Sequence, residues 1–155
     1  MNKVKESRSH TSSVMSASML YSTKYFQREG YIVKDVSTSK RGTNLGYDLI
    51  VQKNGDLKTV EVKGTTGTGI PDAYESEFEG LNGDPKFIAD ILCLVRLNKQ
   101  YVIKDVVILT KEEINDINFT HVTTRRIRFS STLKTKVKNG KLGTIVWDGK
   151  EQLQE

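Results

Sequence analysis

The stretch from residue 46 to residue 64 reads as one β-hairpin and constrains the fold more than any other part of the chain. Asn54-Gly55 is the dipeptide most favoured in a two-residue type I′ turn, because both central positions need positive φ. The runs on either side, Asp48-Leu49-Ile50-Val51-Gln52-Lys53 and Asp56-Leu57-Lys58-Thr59-Val60-Glu61-Val62-Lys63, are rich in strand formers. With Asn54 and Gly55 as the loop, Lys53 faces Asp56, and counting back along both strands sets Asp48 opposite Glu61. Strand side chains alternate between faces. Asp48, Glu61 and Lys63 therefore share one face, while Leu49, Val51, Val60 and Val62 form an apolar face.

Directly opposed strand residues have Cβ atoms roughly 4.5–5.5 Å apart. Two carboxylates at that distance repel, which raises the pKa of one of them unless a cation lies between them. A hard divalent ion such as Mg²⁺ takes oxygen ligands and needs only one or two protein carboxylates. Asp48 and Glu61 are the candidate metal ligands, with the Val62 carbonyl completing the set. A metal held there polarises a phosphoryl oxygen and lowers the pKa of an attacking water, and Lys63 is placed to stabilise developing charge. The plain alternative is a solvated cross-strand charge cluster, worth at most ~1 kcal/mol.

The 155 residues suit one domain with a real core. A charged fraction of 28% against 36% hydrophobic reads as globular, and no apolar run reaches the ~18–20 residues of a membrane helix. The polar N-terminus lacks the apolar core of a signal peptide. The lone Cys93 lies in an apolar run, as a buried reduced thiol does. A cytoplasmic protein without a membrane partner is the expectation. The net charge of +5 leans towards polyanions. Arg125, Arg126, Arg128, Lys134, Lys136, Lys138 and Lys141 fall within residues 121–141, which contain no acid.

Along the chain, residues 1–11 read as a mobile basic arm and 12–150 as a single domain with its core in 12–110. A helix is expected from Ser12 or Ser13, with a stripe of Val14, Met15, Met19, Leu20, Tyr25 and Phe26 and a C-terminal cap at Gly30. Residues 31–36 read as a strand, and 37–45 as a polar loop containing Lys40 and Arg41. A glycine-rich loop follows Lys63, then an acidic stretch with a helical turn, and Asp84-Pro85 opens like a short helix. Residues 91–97 suit the sheet centre, residues 101–109 a further strand, and Thr110-Lys111-Glu112-Glu113 a capping box. Strand character at 121–129 and 134–137, a turn at Asn139-Gly140 and a last run at 143–147 make 119–148 a basic β-rich part. The fold class is α/β or α+β around a mixed sheet flanked by helices.

Gly46-Tyr47-Asp48 followed by Glu61-Val62-Lys63-Gly64-Thr65 resembles the PD-(D/E)XK, or restriction-endonuclease-like, nuclease superfamily. It looks especially like the small members related to the NO VEIN C-terminal domain and Mrr-type enzymes. The resemblance covers roughly residues 12–110. It implies a restriction-endonuclease-like sheet and Mg²⁺- or Mn²⁺-dependent cleavage of DNA, with Asp48 and Glu61 as metal ligands and Lys63 as catalytic lysine. It also implies an acid in the middle of the first helix, and residues 14–27 contain none.

Lys40, Arg41, Arg125, Arg126 and Arg128 are the candidate nucleic-acid contacts, since a strand places Arg126 and Arg128 on one face to track a phosphate backbone. DNA or another nucleic acid is the expected partner, and cutting both strands symmetrically would require a homodimer. The alternative is a non-catalytic nucleic-acid-binding or scaffold module that retains the fold. His10 and His121 lack zinc-ligand spacing. Asp72, Glu75 and Glu77 follow the glycine loop and could swing towards the metal, although acids there most often only solvate the chain. Trp147 reads as a core anchor.

Overall fold

The first helix, α1 (Lys3–Arg28), runs along one face of the sheet. The computed structural model describes residues 3–37, 46–115, 119–123 and 125–148, with the side chains of 3–9 and 119–123 left aside. The helix begins well before Ser12, because no breaker interrupts residues 3–11. Its buried stripe also differs from the expected one. Met15 and Leu20 are exposed, whereas Ser18 and Ser22 are fully buried between Val14, Tyr25 and Phe26. Small side chains let the helix lie close to the strands beneath, a preference that hydrophobic periodicity cannot register. Ser18 Oγ satisfies itself on the Val14 carbonyl at 2.6 Å, and Ser22 Oγ meets Cys93 Sγ at 3.3 Å. The helix ends in a Schellman motif at Gly30: Tyr31 N–H donates to the Phe26 carbonyl and Gly30 N–H to that of Gln27.

The strands are β1 (Ile32–Asp35), β2 (Leu49–Lys53), β3 (Asp56–Thr65), β4 (Ala73–Tyr74), β5 (Phe78–Glu79), β6 (Lys86–Phe87), β7 (Ile91–Leu97), β8 (Ile103–Thr110), β9 (Phe119–Thr123), β10 (Arg126–Phe129) and β11 (Thr144–Trp147). The main sheet has the order β1-β2-β3-β7-β8-β11, mixed because β3 and β7 run parallel. A second sheet, β4-β10-β9, and a β5-β6 ribbon arise from the segments between. The fold is thus α+β, a mixed sheet flanked by helices.

The hairpin forms in the expected register, from Lys53↔Asp56 to Leu49↔Val60. Asn54 and Gly55 both have positive φ, at 53° and 81°, as a type I′ turn requires. Leu49, Val51, Val60 and Val62 are buried under α1 with Cys93, Val95, Val106 and Trp147. The other sheet face carries Leu92, Leu94, Val107 and Leu109 against Phe78, Phe87, Ile127 and Phe129. Burial pushes the Cys93 thiol up to about 12, as an inert core cysteine.

Two helices follow, α2 (Lys111–Asn115) and α3 (Ser131–Lys138). The Thr110 capping box is closed in both directions: Glu113 N–H donates to Thr110 Oγ1, and Thr110 N–H to Glu113 Oε1. Several local expectations fail. Residues 134–137 lie in α3, where Ser130 Oγ accepts the Leu133 N–H as N-cap. Asn139-Gly140 closes that helix by a second Schellman motif, with Gly140 at φ 71°. An Asn-Gly pair supplies positive φ to a hairpin and to a helix end alike. The last strand accordingly pairs with β8 instead of its predecessor. Asp84-Pro85 leads into β6, because Phe87 is drawn into the core beside Phe78.

Candidate active site

The hairpin ladder stops one residue short of Asp48, and that break aims the carboxylate. Asp48 N–H donates to the Val60 carbonyl, its own carbonyl accepts the Val36 N–H, and Oδ2 accepts the Val62 N–H at 2.9 Å. The side chain thus replaces the next rung and is fixed at the strand end. Glu61 lies beside it, and the two carboxyls can share a hydrogen bond once Glu61 is protonated. In a strand the N–H and C=O of one residue project to the same edge, so the Val62 carbonyl opens on the Asp48 side.

Glu61 and Lys63 are only 8% and 6% exposed, which rules out a solvated charge cluster. The other partner is Glu77, at the end of a 3₁₀ turn over Glu75–Glu77 and 3% exposed. Its Oε1 lies 2.7 Å from Lys63 Nζ, and its Oε2 accepts the Tyr74 N–H. The ammonium also donates to the Asp72 carbonyl at 3.2 Å. Glu77 Oε1 is held by its ion pair with Lys63 alone and has no other hydrogen-bond partner among the described residues.

Two buried carboxyls, Glu61 and Glu77, and the half-buried Asp48 thus surround one ammonium. Desolvation raises Glu61 well above the ordinary carboxylate range, and Glu77 and Asp48 push it further. Desolvation also raises Asp48, against the Val62 N–H, and raises Glu77, against the Lys63 charge. Protonating one of Asp48 and Glu61 relieves their repulsion, and a cation between them would relieve it equally. The donor set, two carboxylates and a carbonyl, matches the oxygen preference of Mg²⁺ or Mn²⁺. No group of three or more His, Cys, Asp or Glu among the described residues is arranged to enclose a metal. The residues therefore fit an ion held by two carboxylates, with remaining positions left to water or substrate.

These groups lie in a pocket of about 470 Å³, walled by His10, Val14 and Met15 of α1, the glycine loop, Asp72 and Tyr74. His10 is exposed and meets Tyr101 Oη through Nδ1 at 2.9 Å. The glycine loop is tied down by Arg96, which grips Asp105 with two nitrogens and donates to the Thr68 carbonyl at 2.8 Å. Asp72 is held from outside by Lys134 Nζ of α3 at 3.0 Å.

Of the sequence candidates, Asp48, Glu61, Val62 and Lys63 all line this pocket. Arg126 and Arg128 project outward from β10, and Arg125 precedes it at φ 77°. Arg126 lies over the Tyr74 ring, at 5.8 Å from its centroid. Lys40 and Arg41 lie outside the described residues. Glu77 and Tyr74 are the additions. Glu77 stands among four acids within residues 72–79, and nothing in its spacing distinguishes it from its solvated neighbours.

The family described as Protein NO VEIN, C-terminal, matches residues 15–77, from within α1 to Glu77. No curated protein and no solved structure matches the chain. No helix among the described residues is long and apolar enough to cross a membrane. Over α1, the hairpin and the loop that ends at Glu77, the chain is similar to the NO VEIN C-terminal family.

Proposed function

We propose that this chain is a metal-dependent nuclease of the PD-(D/E)XK type, hydrolysing phosphodiester bonds in DNA. The observation that carries this reading is the half-buried Asp48 and the buried Glu61 beside Lys63, all lining one pocket. Asp48, Glu61 and the Val62 carbonyl would hold Mg²⁺ or Mn²⁺, which supplies Lewis-acid polarisation and a water of lowered pKa. Asp48 is held for this by three backbone contacts, so its carboxylate keeps its aim without substrate. Glu61 must be ionised to hold the metal, which makes activity rise with pH through its raised pKa. Lys63 brings the positive charge that stabilises the charge developing on the attacked phosphate. Glu77 and the Asp72 carbonyl position that ammonium. Glu77 is a third acid at the site, contributed by a 3₁₀ turn, whereas the resemblance implies one from the first helix.

A binding module without turnover is the second reading, favoured by the outward face of Arg126 and Arg128. One assay separates the two: incubation with linear, circular and branched DNA in Mg²⁺ or Mn²⁺. The expected result is cleavage that is abolished by chelation and falls at least about a hundredfold in Asp48→Ala and Lys63→Ala. Cleavage that survives both substitutions sinks the hairpin mechanism. Salt-sensitive binding with no cleavage by the native chain favours the module.

A further inference from the structure

Two large side chains of a kind that folding usually hides are presented to the pocket above the carboxylates. Met15 of α1 is 44% exposed and Tyr74 of β4 is 48% exposed, and both line the pocket that holds Asp48, Glu61 and Lys63. Strand alternation puts Tyr74 there. Its neighbour Ala73 is fully buried, so Tyr74 must point outward. Pairing of β4 with β10 sets Arg126 directly opposite Tyr74, and Arg128 follows on the same exposed face. Lys63 Nζ lies 5.6 Å from the Tyr74 ring centroid and Arg126 Cζ 5.8 Å. The ring is thus the middle of a cationic strip that leads out of the pocket.

A ligand that satisfies this arrangement has a flat apolar body and an anionic group, as a nucleotide does. The volume, about 470 Å³, is that of sites taking one small molecule. Stacking on Tyr74 needs a base with a free π-face, and in a duplex both faces are covered by neighbours. Glu61 and Lys63 are recessed, so the strand must enter the pocket to bring a phosphate to them. An exposed aromatic beside Arg is the arrangement by which proteins hold single strands without reading sequence.

We propose that Tyr74 and Met15 hold an unpaired nucleobase and that Arg126 and Arg128 carry the departing backbone, so that the substrate is single-stranded or frayed nucleic acid. The placement of the scissile phosphate rests on the nuclease reading, whereas the base subsite does not.

The test is binding of a single-stranded oligonucleotide containing 2-aminopurine, and of its blunt duplex, to the full chain carrying Glu61→Gln in Mg²⁺. The single strand binds at least about tenfold tighter, with quenching of the fluorescent base. Tyr74→Ala weakens single-strand binding roughly five- to a hundredfold, the range of one lost stacking contact. Tyr74→Phe restores it, and Met15→Ala, on an exposed helix position, gives a smaller loss. Equal or tighter duplex binding overturns the proposal, as does single-strand binding unmoved by both Tyr74→Ala and Met15→Ala. If Tyr74→Ala does not fold, Met15→Ala and the quenching decide. The native chain is assayed for cleavage on the same oligonucleotides. Absence of cleavage with Tyr74-dependent binding removes the nuclease reading and keeps the subsite. Equal cleavage of duplex and single strand, indifferent to Tyr74, does the reverse.

Discussion

Lys63 is the residue on which the site balances. One ammonium stands among the half-buried Asp48 and the buried Glu61 and Glu77, all with raised pKa values. A raised carboxyl pKa means that the folded chain holds the proton more tightly than the unfolded one. The stability it contributes is present below the ordinary values of 3.8 and 4.5 and is lost as pH rises through the raised values. In the presence of a chelator, melting temperature should therefore fall between mildly acid and neutral pH. Glu61→Gln should remove much of that slope and stabilise the chain at pH 7 by about 1 kcal/mol or more. The same pH slope for the native chain and the Glu61→Gln variant in thermal melts would mean that Glu61 does not hold its proton more tightly in the folded state.

At the scale of elements, the contact of α1 with β3 decides how close the helix wall comes to the carboxylates. A Cβ on Gly64 would overlap Ser18 Oγ and lie 2.9 Å from Val14 Cγ1. Gly64 directly follows Lys63, so any retreat of the helix opens the pocket beside the ammonium. Gly64→Ala should cost about 1–3 kcal/mol, the range of an overpacked core. Gly69→Ala is the control, because nothing lies within 4 Å of the added carbon. Denaturant titration of the two variants measures the difference, and equal stability would mean that the helix yields freely. The helix was legible in the sequence, but its buried serines were not. Their burial depends on Gly64 and Cys93 lying beneath them, which no periodicity within α1 encodes.

For the whole molecule, burying acids is costly only while no cation accompanies them. Binding of a divalent ion to the folded chain alone should raise its stability, by about 2.7 kcal/mol at a hundred times the dissociation constant. Melting temperature should rise with Mg²⁺ in the native chain and stay nearly flat in Asp48→Ala. An equal rise in both would place the ion elsewhere. The same scale explains the C-terminal third. Lys134 reaches Asp72 from α3, and Arg96 joins β8 to the glycine loop, so distant basic residues brace the pocket wall. Part of the basic charge that suggested a polyanion surface therefore serves structure, while Arg126 and Arg128 remain on the outside.

The sequence by itself determined the hairpin, its turn type, its register and the shared face of Asp48, Glu61 and Lys63. Those features follow from the Asn-Gly turn and a side-chain period of two, which are local. The tertiary structure alone decided that Glu61 and Lys63 are buried, because covering them takes the segment that carries Asp72, Tyr74 and Glu77. It alone singled out Glu77 from its acidic neighbours, since only the folded chain brings that carboxylate to Lys63. It likewise turned Asn139-Gly140 into a helix end, because Leu133 and Val137 find a core to enter. Local pattern sets which way side chains point. Only packing from distant segments decides which of them leave water.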